Sequence, residues 1–415
     1  MKRIPNRNKR ITTLGACLGL AMTGGATVHG QDARMDKLEK ENSELKQRLD
    51  SLETVAKREG ILPSGDAAKI TTVKALSNIT LSGFVTTSYF YDTSTPPGGV
   101  SPGYLWNRQS DSFSLNKVKL TLASAPVERS GDKFDAAFRT SLIFGEDAPI
   151  VNSQASTVGF DNLREAFVEM NVPIGTGLNV RAGELISLLN YESGDGGAVN
   201  DNFSQGYQWF FTGNPPGAGV QLGYTFTDWL DVKVRVQNGL FQGPIDNNHE
   251  KTVMASFGLK PTEKLWFNLT GFTGREGASP STQRLTGGEL LGGWSVTDKF
   301  HLGTELDYFA FDTPVGTSPV WSTGAWLSYA FIEKVSAALR AEFISDKDGV
   351  DINGLLGVMP NTGQDIASIA FTLNFKPLPS IKIQPEIRYD HTSLANGFGD
   401  KADRVVLGAG VSYIF

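Results

Sequence analysis

The most constraining feature of this chain is its last segment, residues 404–415, in which the side chains alternate in character at every second position. The odd positions Val405, Leu407, Val411, Tyr413 and Phe415 are apolar or aromatic, and the even positions are mostly small. Successive side chains of a β-strand point to opposite faces. The segment therefore predicts a strand with one face suited to lipid and the other suited to a lumen.

A second segment sharpens that constraint, because its polar row carries full charges. Between residues 381 and 390, Ile383 and Ile387 alternate with Lys382, Glu386 and Arg388, a row that the core of a soluble sandwich would not accept. After the first 30 residues there is no run of 18 apolar residues, so the sequence offers no transmembrane helix. Lipid cannot hydrogen-bond the open edges of a sheet, and strands that span a membrane must therefore close into a barrel.

The lengths of the connections predict the topology of that barrel. Residues 78–415 divide into predicted strands at 79–92, 113–125, 133–145, 162–172, 178–190, 218–227, 230–241, 251–260, 264–274, 284–296, 299–311, 319–331, 334–346, 364–376, 380–392 and 403–415. Connections after even-numbered strands are short, as at 227–229, and those after odd-numbered strands are long, as at 93–112. This alternation is typical of outer-membrane barrels, so the predicted fold class is an all-β transmembrane antiparallel β-barrel of about 16 strands. A soluble all-β protein is the alternative.

Residues 1–30 predict a secretory signal peptide that the mature protein lacks. The first ten residues contain five basic residues and no acid, and an apolar and small stretch, 11–28, follows them. The stretch from Leu14 to Cys17 is an alternative, lipoprotein processing site, but few apolar residues precede it. Because Cys17 is the single cysteine of the chain, cleavage excludes disulfides, thiolate chemistry and cysteine-ligated metals.

Charge and motifs argue against several classes of function. Without the signal peptide the chain has 33 basic and 44 acidic residues, a net charge of −11, which disfavours nucleic acid as a partner. There is no HExxH motif, and we expect no enzyme activity, no cofactor and no metal site. Two alternatives stay open: a hydrolase at the barrel rim around Asp390 and His391, and a divalent-cation loop at Asp346, Asp348 and Asp351 that lacks the last glutamate of an EF-hand.

Residues 31–60 predict a short periplasmic coiled coil. A heptad pattern that starts at Met35 gives the core positions Leu38, Asn42, Leu45, Leu49 and Leu52. Opposite charges meet at the flanking positions of a parallel pair, which favours a homo-oligomer, with a trimer as the favoured state. A single solvated helix is the alternative. Residues 61–77 contain Pro63 and Gly65 and predict a linker between this helix and the barrel.

Five segments of the chain are similar to one family of bacterial barrels. They are LSGFVTTSYFY at 81–91, NLREAFV at 162–168, LNVRAGE at 178–184, GVQLGYTF at 219–226 and VQNGLFQG at 236–243. Together they resemble the OmpL-like β-barrel porins, although Glu184 stands where a lipid-facing residue is expected.

This resemblance implies a water-filled channel of the cell outer membrane for passive diffusion of small hydrophilic solutes or ions. A C-terminus that carries Tyr413 and Phe415 resembles the signal that the barrel assembly machinery reads. An envelope tether, whose coiled coil grips the cell wall while the barrel only anchors it in outer-membrane lipid, is the alternative.

The inward rows of the predicted strands give a channel lining, because a barrel of about 16 strands encloses an aqueous channel. The predicted lining residues are Lys117, Lys119, Arg139, Arg181, Lys233, Arg235, Glu305, Asp307, Arg340, Glu342, Lys382, Glu386, Arg388 and Arg404. The third external loop, 191–217, contains Glu192, Asp195 and Asp201. We expect it to fold inward and form a constriction opposite the basic wall, with a loop packed on the rim as the alternative.

The heptad pattern makes a testable prediction. The changes Glu41→Lys and Arg48→Glu place like charges opposite Lys46 and Glu53, so we expect the native oligomer to dissociate more readily. Analytical ultracentrifugation of the full protein measures this. The matched control adds Lys46→Glu and Glu53→Lys, which restores opposite charges and should restore the oligomer. A peptide 31–60 that stays monomeric at millimolar concentration would contradict the coiled coil.

Overall fold

The computed structural model describes residues 40, 43–44, 46–47, 79–104, 106–151, 161–211, 216–240, 245–314, 316–351 and 362–415. Lys40, Ser43, Glu44, Lys46 and Gln47 are helical. The signal peptide 1–30, the linker 61–77 and the coiled-coil residues Leu38, Asn42, Leu45, Leu49 and Leu52 lie outside the described residues and stay predictions.

Sixteen antiparallel strands form one closed barrel, which confirms the predicted fold class. Their bounds are β1 Ile79–Asp92, β2 Ser112–Ser124, β3 Asp135–Phe144, β4 Leu163–Val172, β5 Leu178–Leu185, β6 Gly217–Thr227, β7 Leu230–Gln237, β8 Thr252–Thr262, β9 Leu265–Glu276, β10 Gln283–Ser295, β11 Phe300–Thr313, β12 Gly316–Ile332, β13 Val335–Asp346, β14 Gln364–Leu378, β15 Ile381–Thr392 and β16 Asp403–Ile414. The connections contain the short helices α1 Ala148–Val151 and α2 Tyr207–Phe211. Among the described residues, no helix is long and apolar enough to span a membrane.

The barrel closes where β1 pairs with β16, from Phe84 opposite Ile414 to Asp92 opposite Val406. Every other strand pairs with its neighbours in sequence order, so neither terminal strand leaves a free edge. The two-residue alternation then sorts side chains between the two sides of the wall. On β15, for example, Arg388 and Asp390 are buried inside the barrel, whereas Ile387 and Tyr389 are exposed outside. Burial of the charged row means that other parts of the chain fill the lumen beside it.

A β-bulge changes which residues of β2 face inward. Its register against β1 shifts by one residue, so the consecutive residues Asn116 and Lys117 are both buried on the lumen side. On either side of the bulge, Leu115 and Leu120 are exposed on the outer face. The bulge therefore changes the inward row of β2 from even positions such as Asn116 to odd positions such as Lys117 and Lys119.

The fifth strand is shorter than predicted, and this difference positions the site. β5 ends at Leu185, whereas the sequence predicts a strand over 178–190. Gly183 has a φ of 138°, which interrupts the regular alternation, and Glu184 is buried instead of facing lipid. The chain leaves the sheet after Leu185, and residues 186–211, the described part of this connection, are here named the inner loop.

The end of the chain is paired with the first strand, and this contact generates a prediction. The N–H of Phe415 donates to the carbonyl of Gly83 at 3.0 Å, and the N–H of Gly83 donates to the carbonyl of Phe415 at 2.9 Å. Deletion of Phe415 removes both closing hydrogen bonds, so we expect less folded, membrane-inserted protein, measured by heat-modifiable gel mobility. Phe415→Tyr keeps the ring and both bonds and serves as control. Equal amounts of folded protein from the deletion and the control would contradict this.

Candidate functional site in the barrel lumen

The inner loop lies inside the barrel, where carboxylates of the wall hold its backbone. The N–H of Tyr191 donates to Glu305 at 2.7 Å, that of Phe203 to Glu386 at 2.7 Å, and those of Tyr207 and Gln208 to Glu342 at 3.2 and 3.1 Å. These loop groups have no strand partner, and burial would leave them unpaired without the carboxylates. A hydrogen bond to a charged group stabilises a protein by about 1.5–3 kcal/mol. The loop is thus fixed in the lumen and is not packed on the rim.

Cations of the same wall bind the carbonyl groups of the loop. Arg340 donates to the carbonyl of Ser204 at 2.5 Å, Arg388 to that of Gln205 at 2.7 Å, and Lys382 to that of Gly197 at 3.0 Å. The three cations stand on β13 and β15, next to the carboxylates that bind loop N–H groups. The N–H groups and the carbonyl groups of the loop backbone therefore both bond to charged side chains on the same side of the barrel.

A buried network around Asp390 fixes helix α2 of the inner loop. Asp390 accepts hydrogen bonds from Arg388 at 2.7 Å, Arg404 at 2.9 Å, Tyr104 at 2.9 Å and Tyr207 at 3.0 Å. Burial raises the pKa of the Tyr207 hydroxyl, so the hydroxyl stays protonated and donates to Asp390. Removing one member of a buried charge pair costs about 3–5 kcal/mol. The network therefore ties α2 to β15 and β16 strongly.

An aromatic stack holds the first part of the inner loop. The ring of Tyr191 stacks on Trp326 with centroids 4.6 Å apart and lies parallel to Trp266 with centroids 6.3 Å apart. Gly303 of β11 makes room for it, because a Cβ at that position would lie 2.1 Å from the Tyr191 Cζ atom. A larger residue at position 303 would therefore push the loop away from the wall.

The three predicted loop acids have three different surroundings. Glu192 is buried and pairs with Arg340 at 2.8 Å. Asp195 pairs with Lys119 at 2.6 Å on the opposite side of the lumen. Asp201 is exposed and lines a cavity of about 430 Å³ beside β9–β13. The structure does not bring the three acids together.

An open cavity of about 380 Å³ lies between the inner loop and the wall from β2 to β7. The wall contributes charged side chains from β2, β3, β4, β5 and β7, and the loop contributes Ser193 and Asp195. We name this cavity the basic passage; its charged lining residues are Lys119, Arg139, Arg164, Arg181, Arg235, Glu165, Glu169 and Asp195. Burial acts to raise the pKa of Asp195, but Lys119 and Arg164 outweigh it and hold that pKa below its usual value. Asp195 is therefore ionised at neutral pH.

The predicted lining residues divide into two groups. One group holds loops and consists of Lys117, Glu305, Asp307, Arg340, Glu342, Lys382, Glu386, Arg388 and Arg404. The other group faces open cavities and consists of Lys119, Arg139, Arg181, Lys233 and Arg235. Of these, Lys119 and Arg235 also bond to the inner loop, at Asp195 and Ile186. From the sequence both groups are predicted to line one continuous wall, because both occupy the inward positions of alternating strands. Only the path of the inner loop separates them.

Sequence reasoning missed Glu289 of β10, which holds the root of the inner loop. Glu289 accepts the N–H of Asn190 at 2.6 Å, and the side chain of Asn190 donates to Glu305 at 3.0 Å. Carboxylate oxygens of Glu289, Glu305 and Asp307 lie within 4.8 Å of one another. A signal was available, since Glu289 is the one charge within the apolar and glycine-rich stretch 285–294.

Asp390 and His391, the residues of the hydrolase alternative, face opposite sides of the barrel wall. Asp390 faces the lumen, whereas the neighbouring His391 is on the outer face and contacts Asp403 at 2.8 Å. The stretch 99–103 reads GVSPG and fits the G-x-S-x-G pattern. Its Ser101 is buried in an external connection after a 3-10 turn, not at a strand-to-helix turn as the nucleophile elbow requires.

In the predicted cation loop, backbone N–H groups of the loop itself bond to the carboxylate of Asp346. Asp346 accepts the N–H groups of Val350 and Asp351 at 3.0 and 2.9 Å, while Asp348 is exposed. In the part of the chain that the structure describes, the acids close enough to share one ion are Glu289, Glu305 and Asp307, not these. Asp346 therefore shapes the connection after β13.

Comparison with known proteins decides the family. Residues 78–415 match the family of beta-barrel porin-2, OmpL-like proteins. The chain belongs to this family. This porin is a channel protein of the cell outer membrane, as both the family and the closed barrel indicate.

Solved structures share the barrel fold of this porin at low sequence identity. The anion-selective porin from Comamonas acidovorans is 11% identical, covers 81% of this chain and 99% of its own, and has a TM-score of 0.55. OmpT of Vibrio cholerae in its trimer form is 10% identical, with the same coverages and a TM-score of 0.52. The outer membrane channel DcaP of Acinetobacter baumannii is 13% identical, covers 81% and 97%, and has a TM-score of 0.51. No curated protein matches the chain.

The anchoring of the inner loop generates a prediction. Glu386→Gln replaces an acceptor of the Phe203 and Ser204 N–H groups by an amide, which weakens hydrogen bonds worth about 1.5–3 kcal/mol each. We expect larger open-channel current noise and faster proteolysis within the inner loop. Glu333→Gln, in the exposed turn between β12 and β13, is the control. Identical noise and proteolysis in the two variants would show that Glu386 does not hold the loop.

Proposed function

We propose that small hydrophilic solutes cross the porin through the basic passage, with the inner loop as its constriction. The observation that carries this proposal is that the wall carboxylates holding the loop backbone stand on β11, β13 and β15, while an open cavity lined by more cations than acids lies along β2–β7. One water takes about 30 Å³ of liquid volume. A cavity of about 380 Å³ therefore accommodates a small solute with part of its hydration shell.

The same arrangement supports diffusion and not catalysis. Asp390, the acid of the hydrolase alternative, already accepts four donors and is sealed beneath α2. Charged side chains that line the passage are mostly paired, as Arg139 is with Glu165 at 2.6 Å. Such pairs give a polar, water-compatible wall. A barrel that served only as an envelope tether would need no open passage.

We further propose a homo-oligomer, with a trimer favoured, assembled through barrel sides and the coiled coil. The trimer form of the similar OmpT barrel of Vibrio cholerae supports this stoichiometry. Exposed apolar rows on the outer face, such as Leu407 and Val411, fit outer-membrane lipid. Tyr413 and Phe415 are the residues proposed to be read by the barrel assembly machinery, and the coiled coil is the segment proposed to reach the cell wall.

Thiol labelling tests the proposed path, because the one cysteine of the chain, Cys17, lies in the predicted signal peptide. Ser193 lines the basic passage, and Val199 of the same loop lines the second cavity. We expect a bulky cationic methanethiosulfonate reagent to reduce the single-channel conductance of Ser193→Cys strongly, because it narrows the proposed path. Val199→Cys is the matched control and should lose little conductance.

Two results would contradict the proposal. A wild-type protein that folds but gives no conductance in planar bilayers would favour the tether. Equal loss of conductance in both labelled variants, or none in either, would place the solute path elsewhere in the lumen. Mass spectrometry of each labelled protein shows that the cysteine has reacted.

A further inference from the structure

The basic passage carries a surplus of positive charge. Its lining contains five cations, Lys119, Arg139, Arg164, Arg181 and Arg235, and three acids, Glu165, Glu169 and Asp195. Arg139 pairs with Glu165, Arg181 with Glu169 at 3.0 Å, and Lys119 with Asp195. The pairs cancel much of the charge of the wall. The hydrogen-bond partners of Arg235, by contrast, are neutral.

Arg235 of β7 is held by neutral groups. It donates to Oε1 of Gln221 from Nε at 3.1 Å and from Nη2 at 2.8 Å, and to the carbonyl of Ile186 at 2.8 Å. These acceptors fix the guanidinium at the edge of the passage without cancelling its charge. Since arginine stays protonated in proteins, Arg235 contributes a full positive charge at any pH that the protein tolerates.

Arg181 stands next to this charge in the sheet. It lies opposite Gln221, which in turn lies opposite Arg235, so the three residues form one row across β5, β6 and β7. The positive charges of Arg181 and Arg235 act on each other. Such proximity is unfavourable unless an anion or other acceptors offset it.

Part of the Arg181 guanidinium is available to a solute. Its side chain is 34% exposed. Arg139, two strands away, is 42% exposed to the same passage. Two accessible guanidinium groups thus flank the passage, with the charge of Arg235 behind them.

We propose that this row is a transit site for small oxyanions, solutes that carry a carboxylate or phosphate group. The inference rests on the proposed path through the basic passage and adds the class of solute. Guanidinium groups bind carboxylate and phosphate oxygens in a planar, two-bond geometry. The passage is narrow and partly shielded from bulk water, so the uncancelled charge of Arg235 acts there through a lower effective dielectric than at the mouth.

Arg235→Gln is the decisive variant, because glutamine keeps a polar side chain with an amide donor at this position while the charge is removed. In a KCl gradient across a planar bilayer, the wild-type reversal potential should have the sign of anion preference, and the variant should shift toward cations. Inorganic phosphate and, in a separate arm, acetate should block the chloride current. Loss of one charge-assisted interaction should weaken this block roughly tenfold or more.

Three controls show whether an effect of Arg235→Gln comes from the loss of charge, from the position of that charge or from misfolding. Lys401→Gln removes a cation at the exposed external connection, where a Debye length of about 8 Å screens it, and should leave the reversal potential unchanged. Arg235→Lys retains the charge and should retain anion preference. Heat-modifiable mobility shows that each variant is a folded barrel.

The outcomes distinguish this inference from the proposed function. If the Ser193 labelling succeeds but Arg235→Gln leaves both the reversal potential and the phosphate and acetate block at wild-type values, the oxyanion site is wrong and the path stands. If Lys401→Gln shifts the reversal potential as much as Arg235→Gln, general surface charge sets selectivity and the site is wrong. If the Ser193 labelling itself fails, the path is wrong.

Discussion

The arrangement of the lumen depends on one interaction: buried carboxylates of the barrel wall accept backbone N–H groups of the inner loop. A chain that crosses the inside of a barrel has no strand to pair with, and each buried amide needs another acceptor. Glu305, Glu342 and Glu386 supply those acceptors from β11, β13 and β15. Arg340 pairs with Glu342 at 3.0 Å, so the carboxylates are themselves partly compensated. A charged row that would be unacceptable in a soluble core is thus the means by which this barrel fixes a loop inside its lumen.

This anchoring makes the lumen asymmetric. The loop makes most of its hydrogen bonds on the side of β10–β16, where these bonds, the stack around Tyr191 and the network of Asp390 reinforce one another, and a second cavity of about 430 Å³ remains beside β9–β13. The side of β2–β7 keeps an open cavity lined by guanidinium groups. The distinction between holding and lining residues follows from this asymmetry, and so does the expectation that charge changes on the two sides have different effects. We expect changes at Glu342 or Glu386 to act on the position of the loop, and a change at Arg235 to act on the proposed solute site and on the bond to Ile186 at the start of the loop.

Much of the fold could be predicted from the sequence, because alternation and connection length are local properties. The sixteen strands follow from them, and on β15 the charged row expected inside the barrel is buried while Ile387 and Tyr389 are exposed. The end of β5 could not be found this way, since the chain after Leu185 stays apolar while it turns into the lumen, with a φ of 80° at Asn190. Alternation also shows which side chains face inward, but it does not show which residues they contact. The contact of Glu192 with Arg340 joins residues far apart in sequence, and the neutral partners of Arg235 appear only when the strands are assembled.

Hydrogen–deuterium exchange of the folded protein measures whether the wall carboxylates hold the inner loop, because it reports on the loop amides themselves. Amides that donate to buried carboxylates exchange only when the loop opens. We expect peptides that cover residues 190–191 and 203–208 to exchange nearly as slowly as the neighbouring strands and far more slowly than the external connection 393–402. Exchange of the inner-loop peptides as fast as that external connection would contradict this expectation, because the carboxylates of the wall would then not be holding the loop.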